Sequence, residues 1–162
     1  MLAVQFYDVV LAGHIAAVVI AFGVTFTYPL TYPFTASRHP GAMPALHDAQ
    51  SRVGKFIITP AATIALLLGI YLASDRDYFD EVWVQVPIAI IVILLGLGGA
   101  FFGPQEEKAG ELARRDIAAA GDGEITFSPE YQAISRRVAM VGGLANLLIL
   151  AAVFFMVAKP FA

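Results

Sequence analysis

The chain contains no cysteine. Disulfides, iron–sulfur clusters, thiolate metal sites and cysteine nucleophiles are therefore excluded together. Charge is scarce as well: Asp, Glu, Lys and Arg make up 14% of the 162 residues, where soluble domains carry about 25%. A basic excess is missing, with ten Lys and Arg against thirteen Asp and Glu, which argues against a nucleic-acid partner. No phosphate-binding glycine loop, catalytic triad or paired intramembrane carboxylate is present, so the chain does not look like an enzyme. Apolar residues fill the space: 59% of the chain is hydrophobic and its mean hydropathy is +0.74. That composition excludes an ordinary water-soluble fold and names the lipid bilayer as the first partner.

The few charges divide the chain. Residues 9–37, 56–74, 82–105 and 138–158 carry none, and a helix needs roughly 20 apolar residues to cross a bilayer. Four membrane-spanning helices are expected, near 5–29, 56–74, 82–103 and 137–158, in an all-α four-helix bundle forming a single membrane domain. Helices are required because backbone polar groups in lipid must pair within their own segment. Seven of the ten Lys and Arg lie in the long linkers 30–55 and 104–136 and Arg137 directly follows the second, against Arg76 and Lys159 on the other side. The positive-inside bias then places both linkers in the cytoplasm of a bacterial inner membrane and both termini outside. No basic segment precedes the first span, so that span is expected to persist in the mature protein.

Within the first linker, Pro29 and Pro33 are expected to stop the first helix, and Arg38-His39-Pro40-Gly41 to form a turn before a new helix near Pro44. Pro60 would kink the second span, with Thr59 or Thr63 satisfying the freed carbonyl. Gly103-Pro104 permits a bend, after which Glu106 through Ala120 is rich in helix formers, with Glu111 in reach of Arg114 or Arg115. Ser128-Pro129-Glu130 is a strong helix start. Ala49-Gln50-Ser51-Arg52-Val53 echoes Ala133-Ile134-Ser135-Arg136-Arg137-Val138, as two duplicated hairpins would.

Candidate site residues are few. His14 is the one ionisable residue well inside a span, and such residues are functional hypotheses by default. Tyr7, His14, Ala21 and Tyr28 recur at seven-residue spacing with Thr25 beside them, a polar stripe that should face the bundle. Three readings stay open for His14: an axial ligand of haem b, a proton relay or metal ligand, or a neutral ring hydrogen-bonded across the bundle. Neither the other spans nor a duplicated half supplies a second histidine, so a haem would be five-coordinate or ligated across a dimer. Asn146 is expected to bond between helices, and Gly99-x-x-x-Gly103 to pack closely within the chain. His39 and His47, with Asp48, are candidate divalent-metal ligands in the first linker. A polar path along Tyr7, His14, Thr25 and Asn146 would instead suit a small oligomeric transporter or channel component. A structural subunit of a larger membrane complex is the third class.

The segment Tyr7-Asp8-Val9-Val10-Leu11-Ala12-Gly13-His14 followed by Gly23 resembles the first span of a bacterial four-helix membrane family, domain of unknown function 2269. Gly69-Ile70-Tyr71, Phe102-Gly103-Pro104 and Met156-Val157-Ala158-Lys159-Pro160 are also similar to that family. The resemblance covers nearly the whole chain and implies the four-span architecture without an activity. More remotely, His14 with Gly23 is similar to the copper-resistance D proteins and the haem-containing protoporphyrinogen oxidases. That resemblance implies haem b or copper at His14. The later spans hold no further histidine or acidic residue to complete the oxidase pattern.

Overall fold

A computed structural model describes residues 5–161. The described residues are almost wholly helical and form four long columns: α1 (Phe6–Arg38), α2 (Pro40–Asp75), α3 (Val82–Ala120) and α4 (Pro129–Ala158). Each is long and apolar enough to cross a membrane. At 1.5 Å per residue, the 33 residues of α1 reach roughly 50 Å, well beyond a hydrocarbon core of about 30 Å. The surplus of α1, α2 and α3 lies at one end, here the linker end. The short 3-10 turn Tyr78–Asp80 marks the opposite, hairpin end.

Pro29 and Pro33 do not stop α1 as expected, and α3 runs on through Gly103-Pro104. Each of the first three columns passes through a non-α turn: Gly23–Thr27 is 3-10, while Gly54–Ile58 and Gly98–Phe102 are π. Pro29, Pro60 and Pro104 follow directly, in the first turn of the α-segment that resumes. The irregular turn has already displaced the hydrogen-bond register, so a missing N–H costs little there. Pro33 sits inside the resumed helix of α1. Around Pro60, Thr59 Oγ1 bonds the Gly54 carbonyl at 2.9 Å and Thr63 Oγ1 the Thr59 carbonyl at 2.8 Å, neither of them the carbonyl four residues before the proline.

α1 packs along the membrane part of α2, α3 along α4, and the linker halves of α2 and α3 pack on each other. In the middle of the bundle the most buried residues are small: Ala21, Ala62 and Ala65. Helices in lipid gain by close backbone approach rather than by expelling water, so alanine contacts fit this environment. Large apolar side chains such as Phe6, Val19, Leu67, Leu147 and Val157 point outward, an arrangement suited to lipid and hazardous in water.

The linker end has a different core, formed by Met43, Ala109, Leu112, Ala113, Tyr131 and Ile134. Gly121, at φ +55°, ends α3, and Ser128 caps α4 by accepting from the Tyr131 N–H. Asp116 closes the connection: its Oδ2 accepts from the Ser128 N–H at 2.8 Å while Arg115 binds its Oδ1. Arg115 also reaches Glu130 at 3.6 Å, and Arg114 pairs with Asp48 of α2. The expected local pairing of these arginines with Glu111 is therefore replaced by contacts between helices.

Candidate functional site

Two cavities lie inside the bundle, each with a histidine in its wall. The hairpin-end cavity is about 550 Å³ and its wall is mainly apolar, from all four helices. Tyr7 and His14 of the predicted stripe both line it. His14 Nδ1 lies 2.8 Å from the Ala65 carbonyl oxygen of α2. A carbonyl can only accept, so Nδ1 carries the proton and Nε2 is left as the lone-pair nitrogen. Gly69, one turn further along α2, makes room for the ring: a Cβ there would fall 3.0 Å from His14 Cε1. The cross-bundle reading of His14 is thus realised at Nδ1, and it leaves a potential ligand atom. Met156 shares the cavity wall. Two cations stand at this end: Lys159 Nζ is 4.5 Å from the Trp83 ring centre, and the Arg76 guanidinium is 4.5 Å from that of Tyr7.

The linker-end cavity is larger, about 890 Å³. Thr25 and Asn146 line it, and the Thr25 hydroxyl sits 2.8 Å from Asn146 Oδ1. The expected bond between helices at Asn146 is present. The polar stripe is nevertheless divided, because Tyr7 and His14 belong to one cavity and Thr25 to the other. Phe22, Leu94 and Ile149 line both and form an apolar partition between them.

Beside this second cavity lies a buried polar cluster that the sequence did not announce. His47 is 2% exposed and Glu106 8%. Glu106 Oε2 accepts from His47 Nδ1 at 2.6 Å and from the Tyr32 hydroxyl at 2.7 Å. His47 Nε2 lies 3.0 Å from the Tyr131 hydroxyl. With Nδ1 donating to the carboxylate, a neutral ring accepts from Tyr131 at Nε2, so the chain Tyr131–His47–Glu106–Tyr32 is fully paired. It ties together all four helices. Gly110 permits it, since a Cβ there would stand 3.3 Å from His47 Cβ.

The candidate metal ligands are not brought together. Both nitrogens of His47 are engaged, Asp48 pairs with Arg114, and His39 is exposed beside Phe34. Among the described residues no group of three His, Asp or Glu could hold a metal ion. Gly99 and Gly103 do not mediate packing within the chain as expected. A Cβ at Gly99 meets nothing within 4 Å, and at Gly103 the nearest atom is the Gly98 carbonyl oxygen of the same helix.

Comparison with known protein families, curated proteins and solved structures yields no match to this chain.

Proposed function

We propose that the chain is a multi-pass subunit of the bacterial cytoplasmic membrane that holds haem b in its hairpin-end cavity through His14. The observation that carries this reading is the 2.8 Å bond from His14 Nδ1 to the Ala65 carbonyl. Ligating histidines are typically oriented in this way, the second nitrogen donating to a carbonyl or carboxylate so that the first presents its lone pair. The rest of the cavity suits the same group. Its volume of about 550 Å³ is in the range of cofactor pockets, and its wall is mainly apolar. Lys159, in the cavity wall, and Arg76, beside Tyr7, are cations at this end that would be available to pair the carboxylates of a porphyrin. Met156 also lines this cavity, within the apolar wall that would surround the group.

Bound there, haem would supply one-electron chemistry. The protein's own part is to fix the His14 tautomer, exclude water with the apolar wall, and pair the carboxylates. The termini lie outside and the linkers in the cytoplasm, and the role is that of a redox or haem-handling subunit rather than an enzyme. The test is a reduced-minus-oxidised spectrum of the protein purified in mild detergent after haem-replete expression. A Soret and an α band that disappear in His14→Ala are expected. No band in the wild-type protein, or one that survives in His14→Ala, overturns the reading.

A further inference from the structure

The linker-end cavity holds polar atoms that no described residue satisfies. Tyr28 Oη, Gln50 Oε1 and Ser135 Oγ are buried and have no hydrogen-bond partner. All three residues line this cavity. They come from α1, α2 and α4, so the unmet demand converges from three helices. Ser135 lies one turn beyond Tyr131, and its hydroxyl is close to that of Tyr131, which is bonded to His47, without completing a hydrogen bond to it. Buried polar groups in folded proteins are nearly always paired, and three orphans in one wall call for an absent partner.

We propose that this cavity binds a neutral, lipophilic ring compound carrying both hydroxyl and carbonyl oxygens, the quinone–quinol class. Four features of the wall lead to that chemistry. First, the lining is overwhelmingly apolar, with Phe22, Ile58, Leu94, Phe102, Val138 and Ile149 among its residues, so the body of the ligand must be apolar. Second, the orphans are two hydroxyls and one amide oxygen. The hydroxyls can donate to a carbonyl, whereas Gln50 Oε1 needs a donor such as a ring hydroxyl. Third, the acidic and basic residues of the wall are Glu106, Glu107, Lys55 and His47, without a cationic excess for a phosphate or fatty-acid headgroup. Fourth, the non-α turns Gly23–Thr27, Gly54–Ile58 and Gly98–Phe102 all contribute to this cavity, where the membrane-spanning parts pass into the linkers. A ligand with a polar head and an apolar tail belongs at that depth, and such turns are frequent at functional sites. The proposal is independent of haem at the other end of the bundle.

The experiment titrates the protein in nanodiscs with decyl-benzoquinone and with its hydroquinone, by calorimetry. Decylbenzene, which has the ring and tail without oxygens, and oleate are the competitors. One saturable site per chain is expected for each quinone form, with decylbenzene and oleate at least about tenfold weaker. Tyr28→Phe and Ser135→Ala should weaken both forms by about three- to tenfold. Gln50→Leu should weaken the hydroquinone more than the quinone, because only the hydroquinone donates. Since the removed groups lack partners in the ligand-free protein, these variants should melt no lower than wild type, which keeps a binding loss distinct from misfolding. The same titration in His14→Ala protein should be unchanged, separating this site from the haem reading. Equal affinity for decylbenzene or oleate, unaltered binding in all three variants, or no binding to the wild-type protein would overturn the proposal.

Discussion

Replacing Glu106 by Ala is the most informative single change at the linker end. Glu106 Oε2 accepts two hydrogen bonds, from His47 at 2.6 Å and from Tyr32 at 2.7 Å. Without the carboxylate, two donors in the interior lose their acceptor together. Each unsatisfied buried donor costs about 1–3 kcal/mol, so the variant should lose about 2–6 kcal/mol, a large share of a typical fold's stability. Glu106→Gln can place its amide oxygen where Oε2 accepts both bonds, exchanging a charged acceptor for a weaker neutral one, and should lose less than Glu106→Ala. Tyr131→Phe deletes one neutral hydrogen bond to His47 and should cost about 1 kcal/mol. The quadruple variant Tyr32→Phe, His47→Leu, Glu106→Leu and Tyr131→Phe removes every member of the cluster at once and should be more stable than Glu106→Ala, because replacing a whole buried polar network by apolar groups is often nearly neutral. Unfolding in mixed micelles, followed by far-UV circular dichroism, measures the series. The reasoning is refuted if Glu106→Ala lies within about 0.5 kcal/mol of wild type, or if the quadruple variant is the weaker of the two.

At the hairpin end, Gly69→Ala places a Cβ 3.0 Å from His14 Cε1 and must displace the ring. A destabilisation of about 1–3 kcal/mol is expected, with an altered haem spectrum where the purified protein carries one. Gly110→Ala meets His47 Cβ at 3.3 Å and should destabilise without touching that spectrum. A double-mutant cycle of Thr25→Val and Asn146→Leu should return a coupling of about 0.6 kcal/mol, up to about 1.7, by the same micelle unfolding. The Asp116 carboxyl, beyond the membrane-spanning part of α3, is held below its ordinary value of 3.8, first by the Ser128 N–H and then by the Ser128 and Arg115 side chains. A lowered folded-state value means its contribution is complete at neutral pH and is lost as pH falls through 3.8 and below. Unfolding measured between pH 7 and pH 3 should therefore decline more steeply in wild type than in Asp116→Asn.

The four columns were legible because lipid excludes charge so strongly that thirteen acids and ten bases mark the span edges unaided. The inward face of His14 was legible too, from the seven-residue recurrence of Tyr7, His14 and Ala21 along one helix. The continuity of α1 and α3 was not, because a proline's effect depends on whether an irregular turn precedes it, and no residue type encodes a π-turn by itself. The cluster at His47 was hidden for a different reason. Tyr32, His47, Glu106 and Tyr131 are spread over 100 residues and lie in segments that look like polar linkers. One signal existed: Glu106, Ala109, Gly110, Ala113 and Asp116 recur at helical spacing and are all buried. Small residues at that spacing, with an acid at each end, mark a helix face that another helix approaches closely.

The partition between the cavities bears on any polar route through the bundle. Phe22 and Ile149 are 8% and 6% exposed, and with Leu94 they stand between His14 on one side and the Thr25–Asn146 pair on the other. A dissolved ion crossing this layer would shed its water where no described side chain replaces it, at a cost of several kcal/mol or more. Transport along the stripe would therefore require these three side chains to move apart, against their packing on Ala21, Ala61 and Ala62. The same layer is no obstacle to two separate cavities, one on each side of it. Phe22→Ala and Ile149→Ala should join the cavities without altering the donor set of either. Ion flux into liposomes should then remain at background in wild type and rise in the double variant. Flux in the wild-type protein that is abolished by His14→Ala would refute the partition.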